Sequence, residues 1–407
     1  MKILVLNAGS SSQKSCLYHL TQETLPEQHP EPIWQAAIDW TATAEFGLME
    51  VEANSIKKEV KLDANKPQQG ITKMLESLTT GETKVIQELS EIDIVGHRIV
   101  HGGSDYSEAT QITPEVKATI RQLIPLAPNH NPAHLEGIEA IEKILGNIPQ
   151  IAVFDTAFHR KMPKYAAVYP IPYDWYKKGI RRYGFHGTSH KYCAQKAAKL
   201  LNKPLESLQL ITCHLGNGAS LSAIENGISI DTTMGFTPLE GLMMGTRSGS
   251  IDPAIPIYLM QNYQMTAEEI DRMLNKESGI KGITGKSGDM RYITEAMQQG
   301  DELAKLAFEM FIHHLKKSIG SMLGNLTKLD AIIFSAGIGE HSASVREATC
   351  AGFEYLGIEL DQNKNHQFPI DIDIATLDSP VRILVIHTEE DWAIATECWH
   401  LIQSKFK

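Results

Sequence analysis

The amino-acid sequence predicts an α/β fold built from two related domains. Strand-like apolar runs alternate with segments of helical spacing, which is typical of mostly parallel sheets covered by helices. The 407 residues suggest two or three domains at about 150 residues each. A strand–turn–strand motif occurs near the start of each half of the chain, and this repetition favours a duplicated domain.

The first strand–turn–strand motif opens the chain. Residues 1–6 are apolar apart from Lys2 and predict a buried strand, which a polar turn at 7–11 joins to a second strand at 12–18. The Gly and Ser residues of the turn let backbone N–H groups approach an anion, and Lys14 adds a positive charge. We interpret the motif as a phosphate-binding hairpin, although a lone hairpin of this kind is more often a Ser-rich surface turn.

The second motif begins with the apolar run 208–215. A turn at 216–220, rich in Gly, Asn and Ser, leads into a strand at 221–224, and an Asn-Gly pair then turns the chain into a strand at 228–231. The spacing between the two motifs is far longer than the roughly 20–50 residues of solenoid repeats. It therefore indicates a duplicated domain, with two phosphate-binding hairpins facing each other across a cleft.

The rest of the first half contains clear strand and helix patterns. In order they are a strand at 33–40, a hairpin with a loop at 41–69, a helix at 71–78, a strand at 92–100, helices at 114–124 and 132–145, and a strand at 151–154. Ligands of such folds gather at the carboxyl ends of strands. Asn7, Arg98, Asp155 and the turn at 216–220 lie at strand ends or hairpin tips, so they are candidate site residues.

The second half contains a long irregular segment at 234–250. Its apolar content argues against disorder, so a functional loop is expected. The patterns that follow are a helix at 303–326, a strand at 329–335, a Gly-rich turn at 336–340 that feeds a helix from Ser344, a strand at 381–386, and a C-terminal helix opened by the acids 389–391. A Gly-rich turn before a helix N-terminus suits a nucleotide. The sequence has no G-x-x-x-x-G-K-[ST] run and no G-x-G-x-x-G opening a first βαβ unit.

Composition excludes several classes of function. The net charge of −11 argues against nonspecific binding to nucleic acid or acidic membranes, and an anionic substrate would need local Arg or Lys. The five cysteines are scattered, odd in number and without a C-x-x-C pair, which fits a reducing compartment and no zinc or disulfide framework. The N-terminal apolar run is too short for a signal peptide, and no run of 18 apolar residues occurs. We therefore expect a cytoplasmic protein with neither a nucleic-acid nor a membrane partner.

Five sequence blocks form a specific set when they are taken together and in order. The blocks are Asn7-Ala8-Gly9-Ser10-Ser11-Ser12 with Lys14, Gly96-His97-Arg98-Ile99-Val100-His101-Gly102-Gly103, Tyr183-Gly184-Phe185-His186-Gly187-Thr188-Ser189-His190, His214-Leu215-Gly216-Asn217-Gly218, and Ala336-Gly337-Ile338-Gly339-Glu340. In this order they resemble the acetate kinase family of the acetate and sugar kinase/heat-shock 70/actin superfamily. The resemblance runs from the first strand to the last helix.

This resemblance implies a duplicated ribonuclease-H-like (actin-like ATPase) fold, with two domains around a central cleft, in a homodimer. The first domain would comprise 1–154, completed by the C-terminal helix at 392–407. The second, nucleotide-binding domain would comprise 155–391. The implied reaction is ATP + acetate ⇌ ADP + acetyl phosphate, with Mg²⁺ or Mn²⁺ as the metal.

The resemblance also implies roles for individual residues. Asn7 and Glu390 would bind the metal, and Arg98 would bind the substrate carboxylate. The catalytic groups would be Asp155, His186 and Arg247. The methyl pocket would be walled by Val100, Phe185 and Pro238. The nucleotide would be bound by Lys14, His214, Leu215, Gly216, Asn217, Gly218, Asp289, Met290, Arg291, Gly337, Ile338, Gly339, Glu340 and His341.

The chemistry of an acyl kinase suits these residue types. A carboxylate acceptor is already ionised at neutral pH (Asp, with a pKa of about 3.9, is an analogue), so it needs no strong base. It needs relief from the repulsion of the γ-phosphate, which two Arg forks and a divalent cation supply. His186 can donate a hydrogen bond to the transferring group. Asp155 is expected to orient an Arg or a metal-bound water rather than to remove a proton.

Each of these residues also has a structural interpretation. Arg98 could form a surface ion pair, His186 could be a satisfied structural histidine, Asp155 could cap a turn, and Glu390 could serve only the helix N-terminus. The functional interpretation is favoured because all of these alternatives would have to hold at once.

Three departures from the family pattern leave details open. Asn129 stands where the family usually has Leu, which leaves the preferred chain length of the acid open. His341 replaces the usual Asn beside the nucleotide segment. The usual Thr-Asn-Glu-Glu is Thr388-Glu389-Glu390-Asp391 here, so either Glu389 or Glu390 could serve the metal.

Four other functions compete with an acetate kinase. A propionate-preferring kinase of the same family is the closest rival, and a butyrate kinase fits the 96–103 block less well. A sugar or polyol kinase would need an Asp base for a hydroxyl and would have less use for two Arg at the acceptor. A non-catalytic, actin-like nucleotide-gated binding protein would keep the hairpins but not the pair Arg98 and Arg247.

Overall fold

The computed structural model describes residues 1–8, 12–21, 24–26, 29–40, 46–63, 69–128 and 130–405. It separates into two compact units. Unit 1 comprises Met1–Ala157 and Glu389–Lys407, and unit 2 comprises Phe158–Thr388.

Unit 1 is built on an eight-stranded mixed sheet. Its strands are β1 (Lys2–Ala8), β2 (Ser12–His19), β3 (Trp34–Asp39), β4 (Phe46–Ala53), β5 (Ile56–Asp63), β6 (Ile94–Ile99), β7 (Thr110–Gln111) and β8 (Gln150–Phe154). The strand order is β5-β4-β3-β2-β1-β6-β8-β7. The β1–β6 and β6–β8 pairs are parallel, and the other pairs are antiparallel.

Unit 2 is built on a six-stranded sheet. Its strands are β9 (Gln209–Leu215), β10 (Ala219–Glu225), β11 (Ile228–Thr232), β12 (Ala331–Ser335), β13 (Ile372–Asp373) and β14 (Arg382–Val385). Their order is β11-β10-β9-β12-β14-β13. The run β11-β10-β9-β12-β14 repeats the run β3-β2-β1-β6-β8, with two antiparallel pairs followed by two parallel pairs in each case. The predicted duplication of an α/β domain is therefore confirmed.

Helices cover the sheets. They are α1 (Gln69–Thr79), α2 (Pro114–Gln122), α3 (Asn131–Leu145), α4 (Lys164–Ala167), α5 (Asp174–Lys177), α6 (Gly187–Leu200), α7 (Ala254–Tyr263), α8 (Ala267–Lys276), α9 (Gly279–Thr284), α10 (Met290–Gln298), α11 (Glu302–Leu323), α12 (Ala336–His341), α13 (Ala343–Cys350), α14 (Gln362–His366) and α15 (Glu390–Lys405). None of the described helices is both long and apolar enough to cross a membrane.

The sheet of unit 1 is covered on both faces. One core forms where α1 packs on the sheet, around the buried side chains of Trp34, Met74 and Leu75. On the other side, α15 lies so close to β6 that a Cβ at Gly96 would be 2.6 Å from Cys398 Sγ and 2.8 Å from an Ile394 methyl carbon. Burial on both faces explains why the central strand β1 is a continuous apolar run rather than an alternating one.

Most of the predicted elements are found within a few residues of their predicted ends, but one prediction is wrong. The Gly-rich segment 336–340 is not a turn that feeds a helix, because it forms the helix α12 itself. Ala336 adopts a left-handed φ of +61° directly after β12, so the chain enters the helix without an intervening loop. Segment 234–250, which was predicted to be irregular, contains neither helix nor strand.

Candidate active site

In unit 1, five polar residues meet where parallel strands end. Asn7 lies near the end of β1, Arg98 lies near the end of β6, and Asp155 follows β8. Glu390 and Asp391 open α15. The carboxyl ends of parallel neighbours share one edge of the sheet, which brings these side chains together. We refer to them as the Arg98 cluster.

Arg98 is held by Asp155 through a bidentate ion pair. Its Nε lies 3.1 Å from both carboxylate oxygens of Asp155, and its Nη2 lies 2.7 Å from Oδ2. Its Nη1 donates to Asn7 Oδ1 at 3.2 Å and lies 3.9 Å from Glu390 Oε2. The side chains of Arg98 and Asp155 are 16% and 2% exposed. The alternative that Arg98 forms a surface ion pair is therefore wrong.

The Arg98 cluster carries an excess of acidic groups. Burial alone would lower the pKa of Arg98, but the charges of Asp155, Glu390 and Asp391 outweigh burial and raise it, so the guanidinium stays protonated. Burial raises the pKa of Asp155, although the charge of Arg98 opposes the rise. Burial also raises the pKa of Asp391, and the Asn7 amide, which donates to Asp391 Oδ1 at 2.8 Å, works against it. Three carboxyl groups around one cation favour a further positive charge.

The donor atoms of this cluster suit a hard divalent cation. Amide and carboxylate oxygens from Asn7, Glu390 and Asp391 are the type of ligand that Mg²⁺ and Mn²⁺ prefer. Among the described residues, no group of three or more His, Cys, Asp or Glu side chains is arranged to hold a metal on its own. A partial oxygen set fits Mg²⁺, which usually keeps waters and takes substrate phosphates as its other ligands. Glu389 instead lies 3.1 Å from His29 Nε2, so Glu390 is the better candidate.

In unit 2, His186 sits at the start of α6 in a strained conformation. It is the N-cap residue and has a left-handed φ of +55°, which is uncommon for a residue with a side chain and is often found at functional sites. Its Nδ1 lies 2.8 Å from Ser220 Oγ. Its ring stacks on the ring of His214, with 4.1 Å between centroids and 24° between planes. These contacts fix the plane of the imidazole.

Arg247 lies beside His186 and has no acidic partner among the residues that the structure describes. Its Nη1 donates to the Pro238 carbonyl at 2.9 Å and lies 3.6 Å from Met244 Sδ. Burial lowers the pKa of Arg247, and no neighbouring charge opposes the shift. The guanidinium is therefore a desolvated cation whose charge is available to an anionic ligand.

Gly218 marks the place where these groups converge. A Cβ at Gly218 would lie 3.5 Å from Arg247 Nη2, 3.6 Å from Arg247 Nη1 and 3.6 Å from His186 Cε1. A cationic fork, an imidazole and a glycine turn thus border one small space that any larger side chain would fill. This arrangement can hold a phosphoryl group, because it combines positive charge with donors close to the backbone.

A half-buried polar network fixes the loop that carries Arg247. Glu240 accepts hydrogen bonds from the Tyr169 hydroxyl and, at 2.7 Å, from Arg182 Nη2. Arg182 Nη1 also donates to the carbonyl of Thr232 at 3.1 Å. A side chain at Gly235 would collide with Glu240 and Tyr169. Sequence reasoning missed this network, since no pattern links residues that lie so far apart along the chain.

Arg346 stabilises the second glycine-rich segment, α12, by hydrogen bonds to its backbone. This side chain is 1% exposed and donates to the carbonyls of Gly339 at 2.9 Å and Glu340 at 2.7 Å. Glu340 turns its carboxylate toward His387 Nδ1 at 2.5 Å and the backbone N–H of Thr388 at 3.2 Å. A Cβ at Gly337 would have no atom of the described residues within 4 Å, so a ligand can approach the backbone there.

Comparison with known proteins identifies the family. The profile of the acetokinase family matches residues 2–396. The chain is 66% identical to the acetate kinase of Rippkaea orientalis over 98% of this chain and 99% of that protein. It is 62% identical to the acetate kinase of Gloeothece citriformis over the full length of both. This chain belongs to the acetokinase family.

Solved structures agree with this assignment. The acetate kinase of Porphyromonas gingivalis superimposes with a TM-score of 0.89 at 38% identity, covering 98% of this chain and 99% of that one. A propionate kinase from Francisella tularensis superimposes with a TM-score of 0.88 at 40% identity, covering 97% and 98%. The predicted family, its two-domain actin-like ATPase fold and its kinase activity class are thereby confirmed.

The remaining predicted acetokinase site residues lie in varied surroundings. Lys14 is exposed on β2 opposite Asn7. Val100 and Phe185 are 4% and 1% exposed, and Pro238 is half-buried. The turn tip at 9–11 and Asn129 lie outside the described residues.

The predicted nucleotide-binding residues of unit 2 are equally varied. Asp289 caps α10 and pairs with the exposed Arg291 at 2.6 Å. Leu215 and Met290 are buried, and His341 is exposed. The Asn217 carbonyl accepts from the Gly245 N–H at 3.1 Å, which ties the turn at 216–218 to the loop of Arg247.

Proposed function

We propose that this acetokinase-family chain transfers the γ-phosphate of ATP reversibly to acetate, giving ADP and acetyl phosphate. The observation that carries the proposal is the desolvated Arg247 guanidinium beside His186 and Gly218. A kinase acting on a carboxylate must bring two anions together, and a cation without an acidic partner among the described residues serves that purpose.

Unit 1 supplies the acceptor site in this proposal. Arg98 binds the acetate carboxylate through a guanidinium fork that matches two planar oxygens. Asp155 holds that guanidinium in place through Nε and Nη2. Because Nη1 and Nη2 carry two hydrogens each, the Nη1–Nη2 edge is the fork that can face the substrate. Because acetate is already ionised, Asp155 acts by positioning Arg98 and removes no proton.

Unit 2 supplies the groups for the transferring phosphoryl. Arg247 neutralises the charge that develops on its equatorial oxygens, and His186 donates a hydrogen bond to it. The backbone of the turn at 216–218 and of α12 binds the nucleotide, with Asp289, Met290, Arg291, His341 and Lys14 of unit 1 as further nucleotide contacts. Val100, Phe185 and Pro238 form the walls of the methyl pocket.

Asn7 and Glu390 would hold Mg²⁺ or Mn²⁺, with Asp391 close by. When bound, the metal would neutralise phosphate charge.

We also propose that the enzyme works in the cytoplasm and binds neither nucleic acid nor membranes, in keeping with its net charge of −11. The boundaries 1–154 with 392–407, and 155–391, stay our proposal for the two ribonuclease-H-like domains.

Propionate is the second candidate acceptor. The likeness to a propionate kinase, at 40% identity and a TM-score of 0.88, is as close as that to an acetate kinase of known structure. Two acids that differ by one methylene can differ in kcat/KM by about 10–200-fold in an apolar pocket. Small differences in the apolar side chains of the pocket can therefore favour either acetate or propionate.

Trapping the product with hydroxylamine tests the proposed reaction. An acyl phosphate reacts with hydroxylamine to give a hydroxamate, whereas ATP and a free acid do not. We expect ATP-dependent hydroxamate formation with acetate, less with propionate and least with butyrate. Reactions without the acid or without ATP are the controls. Absence of hydroxamate with all three acids would contradict the proposal.

We further propose that the enzyme is a homodimer that buries α7. This helix has no buried residue, although it is largely apolar. Ile257 and Tyr258 are each 55% exposed, and Tyr263 is 66% exposed. Apolar surface on every side of a helix is unusual in a monomer and marks an interface.

Replacing Ile257 with Asp is expected to give monomers, because a charge in the centre of the apolar helix would be desolvated in the dimer. Light scattering after size exclusion should report twice the chain mass of 45.2 kDa for the native enzyme and a single chain mass for the variant. Leu377→Asp is the matched control, since Leu377 is 91% exposed on the same unit and should leave the mass unchanged. A monomeric native enzyme would remove the dimer proposal.

A further inference from the structure

A chain of short hydrogen bonds leads from the interior of unit 2 to His186. Thr212 Oγ1 lies 2.7 Å from His190 Nδ1, and His190 Nε2 lies 2.8 Å from Ser220 Oγ. Ser220 Oγ in turn lies 2.8 Å from His186 Nδ1. Thr212 and Ser220 are 0% exposed, and His190 is 1% exposed. Bulk water therefore does not reach these three side chains, so they must satisfy their hydrogen bonds through one another and through His186.

Proton counting restricts this chain to two arrangements. Ser220 has one hydroxyl proton but lies between two imidazole nitrogens, so at least one of those nitrogens must carry a proton and donate to Ser220. Burial lowers the pKa of His190 well below its usual range, which keeps its ring neutral with a proton on one nitrogen only. If both nitrogens donated to Ser220, its buried hydroxyl proton would have no acceptor among the hydrogen bonds of the described residues. The bonds consequently all point outward, toward His186, or all point inward, toward Thr212.

The distances favour the outward arrangement. In the inward arrangement Thr212 would accept from His190 and would have to donate to the Ser222 carbonyl at 3.5 Å, which is beyond the usual hydrogen-bond range. In the outward arrangement the Thr212 hydroxyl donates to His190 at 2.7 Å. His190 then donates to Ser220, and Ser220 donates to His186 Nδ1. The proton of a neutral His186 ring is left on Nε2.

We infer that Ser220, His190 and Thr212 are positioning residues that hold His186 in its Nε2–H tautomer. The inference rests on the proposed role of His186 as a donor to the transferring phosphoryl group. His186 Cε1, which lies between the two ring nitrogens, adjoins the space at Gly218 and Arg247. Because Nδ1 is bonded to Ser220, Nε2 is the nitrogen through which His186 would meet a phosphoryl group. A neutral imidazole with its proton on Nδ1 would present a lone pair to an anionic oxygen and repel it. This chain of hydrogen bonds, which we call the relay, keeps a proton on Nε2. His186 can then donate a hydrogen bond while its ring stays neutral.

The tautomer can be observed directly by ¹⁵N NMR of the native enzyme labelled at histidine. Protonated and unprotonated ring nitrogens have well separated shifts, and His186→Gln assigns the His186 signals. We expect Nε2 of His186 to be protonated and Nδ1 to be unprotonated. In Ser220→Ala both tautomers should be populated. A native enzyme with the His186 proton on Nδ1 would overturn the inference.

Kinetics of matched serine variants give the second test. Ser220→Ala should lower kcat by about tenfold, less than the roughly 10²–10³-fold lost when a whole donor is removed, with little change in KM for either substrate. Ser222→Ala is the control, because Ser222 lies two residues along β10 and is also 0% exposed, but bonds to Ser229 and Asp231 instead. An equal loss in both variants would show a general packing effect and overturn the inference.

His190 variants supply a rescue experiment. His190→Gln keeps an N–H donor near the position of Nε2 and should retain most of the activity, whereas His190→Ala should resemble Ser220→Ala. Equal activity of the two His190 variants would overturn the inference. Failure of the proposed function can be distinguished from failure of this inference. The His186 tautomer can be measured by NMR even in a native enzyme that forms no hydroxamate.

Discussion

Replacing Arg247 with alanine should lower kcat by about a thousandfold, the effect typical of an arginine that stabilises phosphoryl transfer. The side chain contacts only the Pro238 carbonyl and Met244 Sδ among the polar atoms of the described chain. No carboxylate in that part of the chain pairs with it, so its removal leaves no acid unpaired. The expected result is loss of turnover with a melting temperature close to the native value, measured by hydroxamate formation and thermal unfolding.

Further variants separate the charge of Arg247 from its geometry. Arg247→Lys keeps the charge but loses the planar fork, so its kcat should lie between those of the native and alanine enzymes. Free guanidinium should restore part of the activity of Arg247→Ala. Arg272→Ala is the control, because Arg272 is an exposed arginine of the same unit that pairs with Glu277. Near-native turnover of Arg247→Ala would remove Arg247 from the mechanism.

The strands and hairpins could be predicted because their signals are local. Apolar runs of strand length, an Asn-Gly turn and helical spacing are properties of neighbouring residues. The repeated motif also predicted the duplication, since the same local chemistry in both halves leads to the same pairing of β1 with β2 and of β9 with β10. Positions at strand ends or hairpin tips also marked Asn7, Arg98 and Asp155 as candidate site residues, and the structure brings these three side chains into contact.

Partnerships between distant residues could not be predicted in this way. Asn7 donates to Asp391, which lies 384 positions away, and the sequence offers only the extra acid beside Glu390 as a signal. Ser220 was visible as part of a small polar turn, but its bonds to two histidines depend on the packing of α6 against β9 and β10. The helix α12 was missed because glycines suggest a turn, whereas Arg346 holds two of its carbonyls.

Asp155→Asn tests whether Asp155 acts through Arg98. The amide keeps the shape of the carboxylate but loses its charge and one of its acceptor oxygens, so the guanidinium would no longer be held at Nε and Nη2. We expect kcat/KM for acetate to fall by about a hundredfold, with much of the loss in KM, because a misplaced Arg98 weakens binding of the carboxylate. Arg121→Ala, which breaks an exposed pair with Glu139, should have no effect on activity.

A double-mutant cycle decides between a positioning role and an independent catalytic role for Asp155. If Asp155 works only through Arg98, adding Asp155→Asn to Arg98→Ala should cause little further loss of kcat/KM. The losses of folding stability in the two single variants should likewise not add up in the double variant. Arg98→Ala leaves the Asp155 carboxylate buried without its partner, which costs about 3–5 kcal/mol, and the second substitution removes that charge and should recover part of the melting temperature. Losses in kcat/KM that multiply would show that Asp155 contributes to the reaction independently of Arg98, which would contradict the positioning role.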